Sequence, residues 1–161
     1  MTRAISGAEL AGYLTPDFAS FVVEAEEGAV IVSPESVPNI CFYLREHADL
    51  RFDYLTDLTS VDYIDYFEVV YHLMSFEQNL SATLKTRAYG RKSPTVPSVT
   101  SVWRGADMQE REVWDLMGIR FEGHPNLRRV LLFDGFPGHP LRKDFLEFDH
   151  RTVPLPADED L

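Results

Sequence analysis

The chain has 161 residues, 45% of them hydrophobic and 12% aromatic, which suits one globular domain with a sizeable core and excludes a disordered chain. Its formal net charge is −11, unevenly spread: residues 1–80 hold three basic and fourteen acidic side chains, whereas the stretch 85–143 carries a basic excess. That balance argues against nucleic-acid binding, and leaves either a solvated acidic protein or an arginine-bearing face that docks on an acidic partner.

No apolar run approaches the roughly 18 residues that a membrane span needs. The first residues, MTRAISGAELAGYL, lack a signal-peptide pattern because Glu9 interrupts any apolar stretch. A soluble, cytosolic chain is the expectation. The single cysteine, Cys41, cannot hold an iron–sulfur cluster or a structural zinc, which take about four ligands.

In chain order, Ser6-Gly-Ala-Glu9 has the spacing of a capping box and starts a first helix, which Thr15-Pro16 should end. Residues 18–25 read as a strand and 29–32 as its hairpin partner across Glu26-Glu27-Gly28. Ser33-Pro34 opens a second helix whose apolar face is Val37, Ile40, Cys41 and Leu44. Three alternating strands follow. They carry Phe52, Tyr54, Thr56 and Leu58, then Phe67, Val69, Tyr71 and Leu73, then Ala82, Leu84, Thr86 and Ala88. Short connections at Ile64-Asp65 and Gln78-Asn79 favour antiparallel hairpins. Residues 90–97 read as a loop. The predicted fold is a two-layer α+β domain of order α-β-β-α-β-β-β-α over residues 1–118, with an extended C-terminal tail over 119–161.

The third helix carries Glu110-Arg111-Glu112 and should stop at Gly118, which suits a left-handed C-terminal position. Gly105 should break or bend it. Asp107 has capping-box spacing to Glu110, so the helix is expected from Met108. Glu110 has two readings. It is a cap, or it lies in an apolar stripe with Trp103, Ala106, Val113 and Met117 and pairs with Arg104, Arg128, Arg129 or Arg142. His124 and His139 each stand in Gly-His-Pro, which is turn chemistry, and backbone-fixing hydrogen bonds suit them better than metal ligation. Prolines at 125, 137 and 140 favour extended backbone beside Arg128-Arg129 and an apolar run at 130–133, a composition that gains stability on another protein's surface.

The stretch VWRGADMQEREVWDLMGIRFEGHPNLRRVLLFDGFPGHPLRKDF, residues 102–145, closely resembles one family: the C subunit of proton-pumping NADH:quinone oxidoreductase, respiratory complex I. The match runs through E-R-E-x-x-D-L-x-G-I-x-F-x-G-H-P-x-L-R-R-x-L to P-L-R-K-D-F. The resemblance implies an α+β scaffold in the peripheral arm of that complex, on the cytoplasmic face of the cell membrane. It implies no catalytic residue, cofactor or metal in this chain, with flavin and iron–sulfur clusters held by other subunits. Partners would be chiefly the D subunit, with the B and I subunits nearby. Carried onto this sequence, the assembly residues are Glu110, Arg111, Glu112, Asp115, His124, Arg128, Arg129, Arg142, Lys143 and Asp144. Related membrane-bound hydrogenases and ferredoxin-dependent complexes use a similar subunit, and a free-standing binding module is a further reading.

Overall fold

Ser6 opens the first helix as the spacing predicts: its hydroxyl accepts from the Glu9 amide at 3.2 Å. The computed structural model describes residues 2–145. Before that helix, strand β1 (Arg3–Ala4) lies parallel to a later strand. Helix α1 spans Gly7–Phe18 and runs through Pro16 rather than ending there. Proline removes only the bond to the Gly12 carbonyl, and residue 12 is exposed, so that carbonyl is open to solvent. The neighbouring Ala11 carbonyl is taken by the Thr15 hydroxyl at 2.8 Å. Gly7 is required by close approach, since a Cβ there would collide with the Glu26 and Ala29 carbonyls.

A 3₁₀ turn at Ala19–Phe21 shortens the expected first strand to β2 (Val22–Ala25), which pairs antiparallel with β3 (Val30–Val32). Pro34–Ser36 forms a second 3₁₀ turn that leads into helix α2 (Val37–Glu46). Val37, Ile40, Cys41 and Leu44 are all buried on its inner face, as their spacing requires.

Strands β4 (Tyr54–Asp62), β5 (Tyr66–Ser75) and β6 (Leu80–Tyr89) form the two antiparallel hairpins read from the sequence. The alternation in β4 differs from the expected one. A register shift between Leu55 and Asp57 changes the phase, so Leu55 and Leu58 both point inward while Tyr54 and Thr56 are exposed. The sheet order is β2-β3-β6-β5-β4, with β1 and β3 both parallel to β6. The fold is therefore α+β with a mixed sheet.

Within the expected loop 90–97, Thr95–Pro97 is strand β7, and it pairs in parallel with β8 (Arg120–Glu122). The expected break at Gly118 precedes β8, whose Phe121 is buried together with Ile119. Between them, helix α3 spans Ala106–Met117. It begins two residues earlier than predicted, after Gly105, and without a side-chain cap. Gly118 closes it at φ 69°, where an L side chain is strained. From 123 to 145 the chain holds neither helix nor strand. Residues 146–161, part of the expected tail, lie outside the described residues.

Candidate functional site

Helix α3 gathers the signature residues, and its buried face decides what each can do. Glu110 is fully buried. It does not meet an arginine. Its Oε2 accepts from the Ser98 hydroxyl at 2.6 Å and its Oε1 from the Val99 amide at 2.7 Å. The expected ion pair is thus replaced by neutral donors from the turn that precedes α3. Those donors are local in space but eleven and twelve residues away in sequence, so periodicity could not reveal them. Burial pushes the Glu110 carboxyl up to about 7, against the two hydrogen bonds that favour its charged form. Neither is Asp107 the helix cap: Gly105 holds that position, Asp107 lies within the first turn, and its carbonyl receives His124 Nε2 at 3.1 Å.

The arginine pair forms one turn later, at Asp115. This buried carboxylate meets Arg129 Nη1 at 2.6 Å through Oδ1. Its Oδ2 accepts three successive amides, Val130 at 3.0 Å, Leu131 at 2.9 Å and Leu132 at 3.0 Å. Burial acts to raise its pKa, but the three amides and Arg129 outweigh it and hold the group below its ordinary range. Arg111, also buried, reaches up to the same strand of chain and donates to the Arg128 and Arg129 carbonyls at 3.2 and 3.4 Å. Glu112, between them on the opposite face, is exposed.

Both histidines serve the backbone, as the turn reading expects. Nδ1 of His124 accepts from the Asn126 amide at 3.0 Å, which leaves its proton on Nε2. His139 Nδ1 bonds the Asp115 carbonyl at 2.8 Å, and burial lowers its pKa. They attach to two different turns of α3. Among the described residues there is no group of three or more His, Cys, Asp or Glu that would hold a metal.

The last signature block closes on the sheet. Arg142 Nε donates to the Met117 carbonyl at 2.6 Å, Nη2 to that of Gly118 at 3.2 Å, and Nη1 to that of Arg91 at 2.8 Å. Asp144 pairs with Arg91 at 2.6 Å, and the Lys143 amide donates to Asp62 at 2.9 Å. Asp62 and Arg91 were not singled out in the sequence, yet they form a buried-to-surface pair at 2.6 Å. The Arg91 bond holds the Asp62 carboxyl well below the usual carboxylate range. The only signal for them was Asp62 placed two residues before the hairpin turn, where Asx side chains bond the backbone.

The result is a surface built from 123–145 and supported from below. Glu110, Arg111 and Asp115 are interior; Glu112, Arg128, Leu131, Phe133, Leu141, Lys143 and Asp144 face outward. The described part of the segment is bonded to its own domain through Asp115, Arg111 and the carbonyls at the end of α3. Spacing along the chain could not show that three amides converge on one carboxylate.

Residues 30–150 match the family described as respiratory-chain NADH dehydrogenase, 30 Kd subunit. The chain is 48% identical over 120 residues to the second C subunit of NADH-quinone oxidoreductase in Rhizobium meliloti (strain 1021), covering 73% of this chain and 65% of that one. It is 43% identical over 134 residues to the NADH-quinone oxidoreductase C subunit of Roseiflexus sp. (strain RS-1), covering 81% and 72%. The chain spans 65% and 62% of the lengths of its Rhizobium meliloti and Rhizobium etli relatives. Among solved structures, a chain of the membrane-bound sulfane sulfur reductase, an archaeal respiratory membrane complex, superposes with a TM-score of 0.69 at 25% identity, over 86% of this chain and 85% of that one. On the family match, the sequence relatives and the shared fold, this chain belongs to the family of the 30 kDa subunit of respiratory-chain NADH dehydrogenase, the C-subunit family of NADH-quinone oxidoreductase.

Proposed function

We propose that the chain is a cofactor-free structural and assembly subunit of the peripheral arm of NADH:quinone oxidoreductase. There it supports electron transfer from NADH to quinone, coupled to proton translocation, on the cytoplasmic face of the membrane. One observation carries this reading: Asp115 and Arg111 are spent inside the chain on holding 128–132, and the segment so held turns Arg128, Leu131, Phe133 and Leu141 outward. Exposed apolar side chains beside arginine are the composition of a protein interface. The D subunit is the principal partner, with the B and I subunits adjacent. Glu112, Arg128, Lys143 and Asp144 make direct contact, and Glu110, Arg111, Asp115, His124, Arg129 and Arg142 hold the surface in shape. In this division of the chain, residues 1–118 together with β8 are the core, and the docking part follows within the expected 119–161. No helix among the described residues is long and apolar enough to cross a membrane, which suits attachment through other subunits.

The test is assembly. A Leu131→Asp, Phe133→Asp double variant should fold as the parent does and fail to co-purify with the NADH-oxidising complex. Normal complex yield would remove the docking role from this surface. The likeness to the sulfane sulfur reductase chain favours a second reading, in which the parent is a related membrane complex with another donor or acceptor. NADH:quinone activity of the purified complex separates the two.

A further inference from the structure

The turn between β4 and β5 places a branched apolar side chain where one is rarely found. Ile64 has φ 73°, a left-handed conformation that β-branched residues avoid. The Asp65 amide donates to the Tyr63 carbonyl at 2.9 Å across it, the i to i+2 bond of a strained γ-turn. Four contacts enforce this. Asp62 Oδ1 accepts the Ile64 amide at 2.7 Å, and Asp62 is itself buried and gripped by Arg91. Arg91 also donates to the Ile64 carbonyl at 3.3 Å, and the Tyr63 amide bonds the Tyr66 carbonyl at 3.0 Å.

All this holds Ile64 in solvent: it is 61% exposed. Beside it runs a chain of rings, with Tyr63 stacked on Tyr66 at 5.1 Å and Tyr66 tilted on Tyr89 at 5.8 Å. A glycine, with no Cβ, would make the same turn with less strain, so the turn itself does not call for isoleucine. Strain kept where the surroundings over-determine it is a feature of contact and switch sites. A hollow of about 280 Å³ opens next to Ile64, lined by Arg91, Lys143 and Asp144. Arg91 is committed to Asp62 and Asp144, while the Lys143 ammonium has no ion pair among the described residues.

We propose that the Tyr63-Ile64 tip is a second anchor for the partner protein: Ile64 enters an apolar pocket of that partner, and a carboxylate at the pocket's edge reaches Lys143. The proposal rests on the docking reading above, because Lys143 and Asp144 join the tip to the 123–145 surface through Asp62 and Arg91. The partner is a protein and not an anionic membrane, since Asp65 and Asp144 stand at the tip and the chain carries a net charge of −11. Tyrosine and arginine are enriched among the residues that dominate interface energies, and Tyr63 and Arg91 flank Ile64 here.

Two experiments on the full chain in its source cells test this. First, a photoreactive benzoylphenylalanine at position 64 should cross-link to one subunit of the complex, and the same residue at position 131 serves as the control for the docking segment. Cross-linking at 131 without any at 64, or at 64 to lipid alone, overturns the tip and leaves the docking reading standing. No cross-link at either position overturns both. Second, Ile64→Gly removes the strain and the side chain together. The isolated variant should melt no lower than the parent, yet complex recovered should fall about tenfold, the loss of a strong interface anchor. Full recovery with Ile64→Gly overturns the proposal, because it leaves Ile64 a strained turn residue and nothing more.

Discussion

Asp115 and Arg129 meet at 2.6 Å, and the second oxygen of the same carboxylate collects the amides of Val130, Leu131 and Leu132. One buried charge thereby fixes both a cation and the backbone that follows it. The apolar run 130–133 is held open on the surface and cannot fold into the core. The carboxylate is the hinge between a packed helix and a docking surface.

Replacing Asp115 by Asn should therefore be costly. Arg129 would be left half-buried without its counter-charge, and one of the acceptor positions becomes a donor. Breaking such a pair costs about 3 kcal/mol or more. Urea denaturation should show that loss, and hydrogen exchange at 130–132 should speed up in the variant while β5 and β6 stay protected. In the parent those three amides should already be slow without any partner. The depressed pKa gives a sign in pH as well. A carboxyl held below its unfolded value contributes stability above about pH 4, and that contribution is lost as pH falls through the folded-state value. Asn at 115 should reduce the acid sensitivity of the chain.

Glu110 predicts the opposite slope. Its carboxyl is raised from 4.5 to about 7, so the folded state holds a proton that the unfolded state has lost. Its contribution is fully present below the unfolded value and disappears as pH rises through about 7. The change amounts to roughly 3 kcal/mol. Glu110→Gln should abolish this slope and remain folded, because the amide can still accept from Val99 and donate to Ser98. Identical pH profiles for parent and variant between about pH 5 and 8 would show that Glu110 is ionised throughout.

Gly118→Ala tests how the segment is clasped. The residue stands at φ 69°, and an added Cβ would collide with His139 and Arg142. The left-handed backbone alone costs about 1–2 kcal/mol for a residue with a side chain. The variant should lose more than that in thermal unfolding. The Leu141 amide, bonded to the Leu116 carbonyl at 3.1 Å, should exchange faster. A loss confined to the backbone cost would mean that His139 and Arg142 simply move aside.

Purified alone, the chain should be colourless and free of stoichiometric metal. Cys41 is a single buried thiol whose pKa burial drives far up, which makes it a poor metal ligand. Elemental analysis and an absorption spectrum check this. Stoichiometric iron, zinc or flavin would refute the cofactor-free role.

What the sequence determined by itself was whatever depends on near neighbours. The Ser6 cap of α1, the apolar face of α2, the two antiparallel hairpins and the left-handed stop at Gly118 follow from steps of two to four residues, although the Glu9 carboxylate of the expected capping box turns to Arg3 instead. The family, too, was legible, because the signature around Glu110 to Asp144 is fixed in order and spacing. The tertiary structure decided what spacing cannot encode. The bulge at Leu55–Asp57 changed the phase of β4, and Thr95–Pro97 became a strand only because Arg120–Glu122 arrived beside it. It also chose the partners of the buried acids. Glu110 took the Ser98 hydroxyl and the Val99 amide, and Asp115 took Arg129. A buried carboxylate needs donors, but any donor brought close enough will serve, and which ones arrive is settled by how the chain packs.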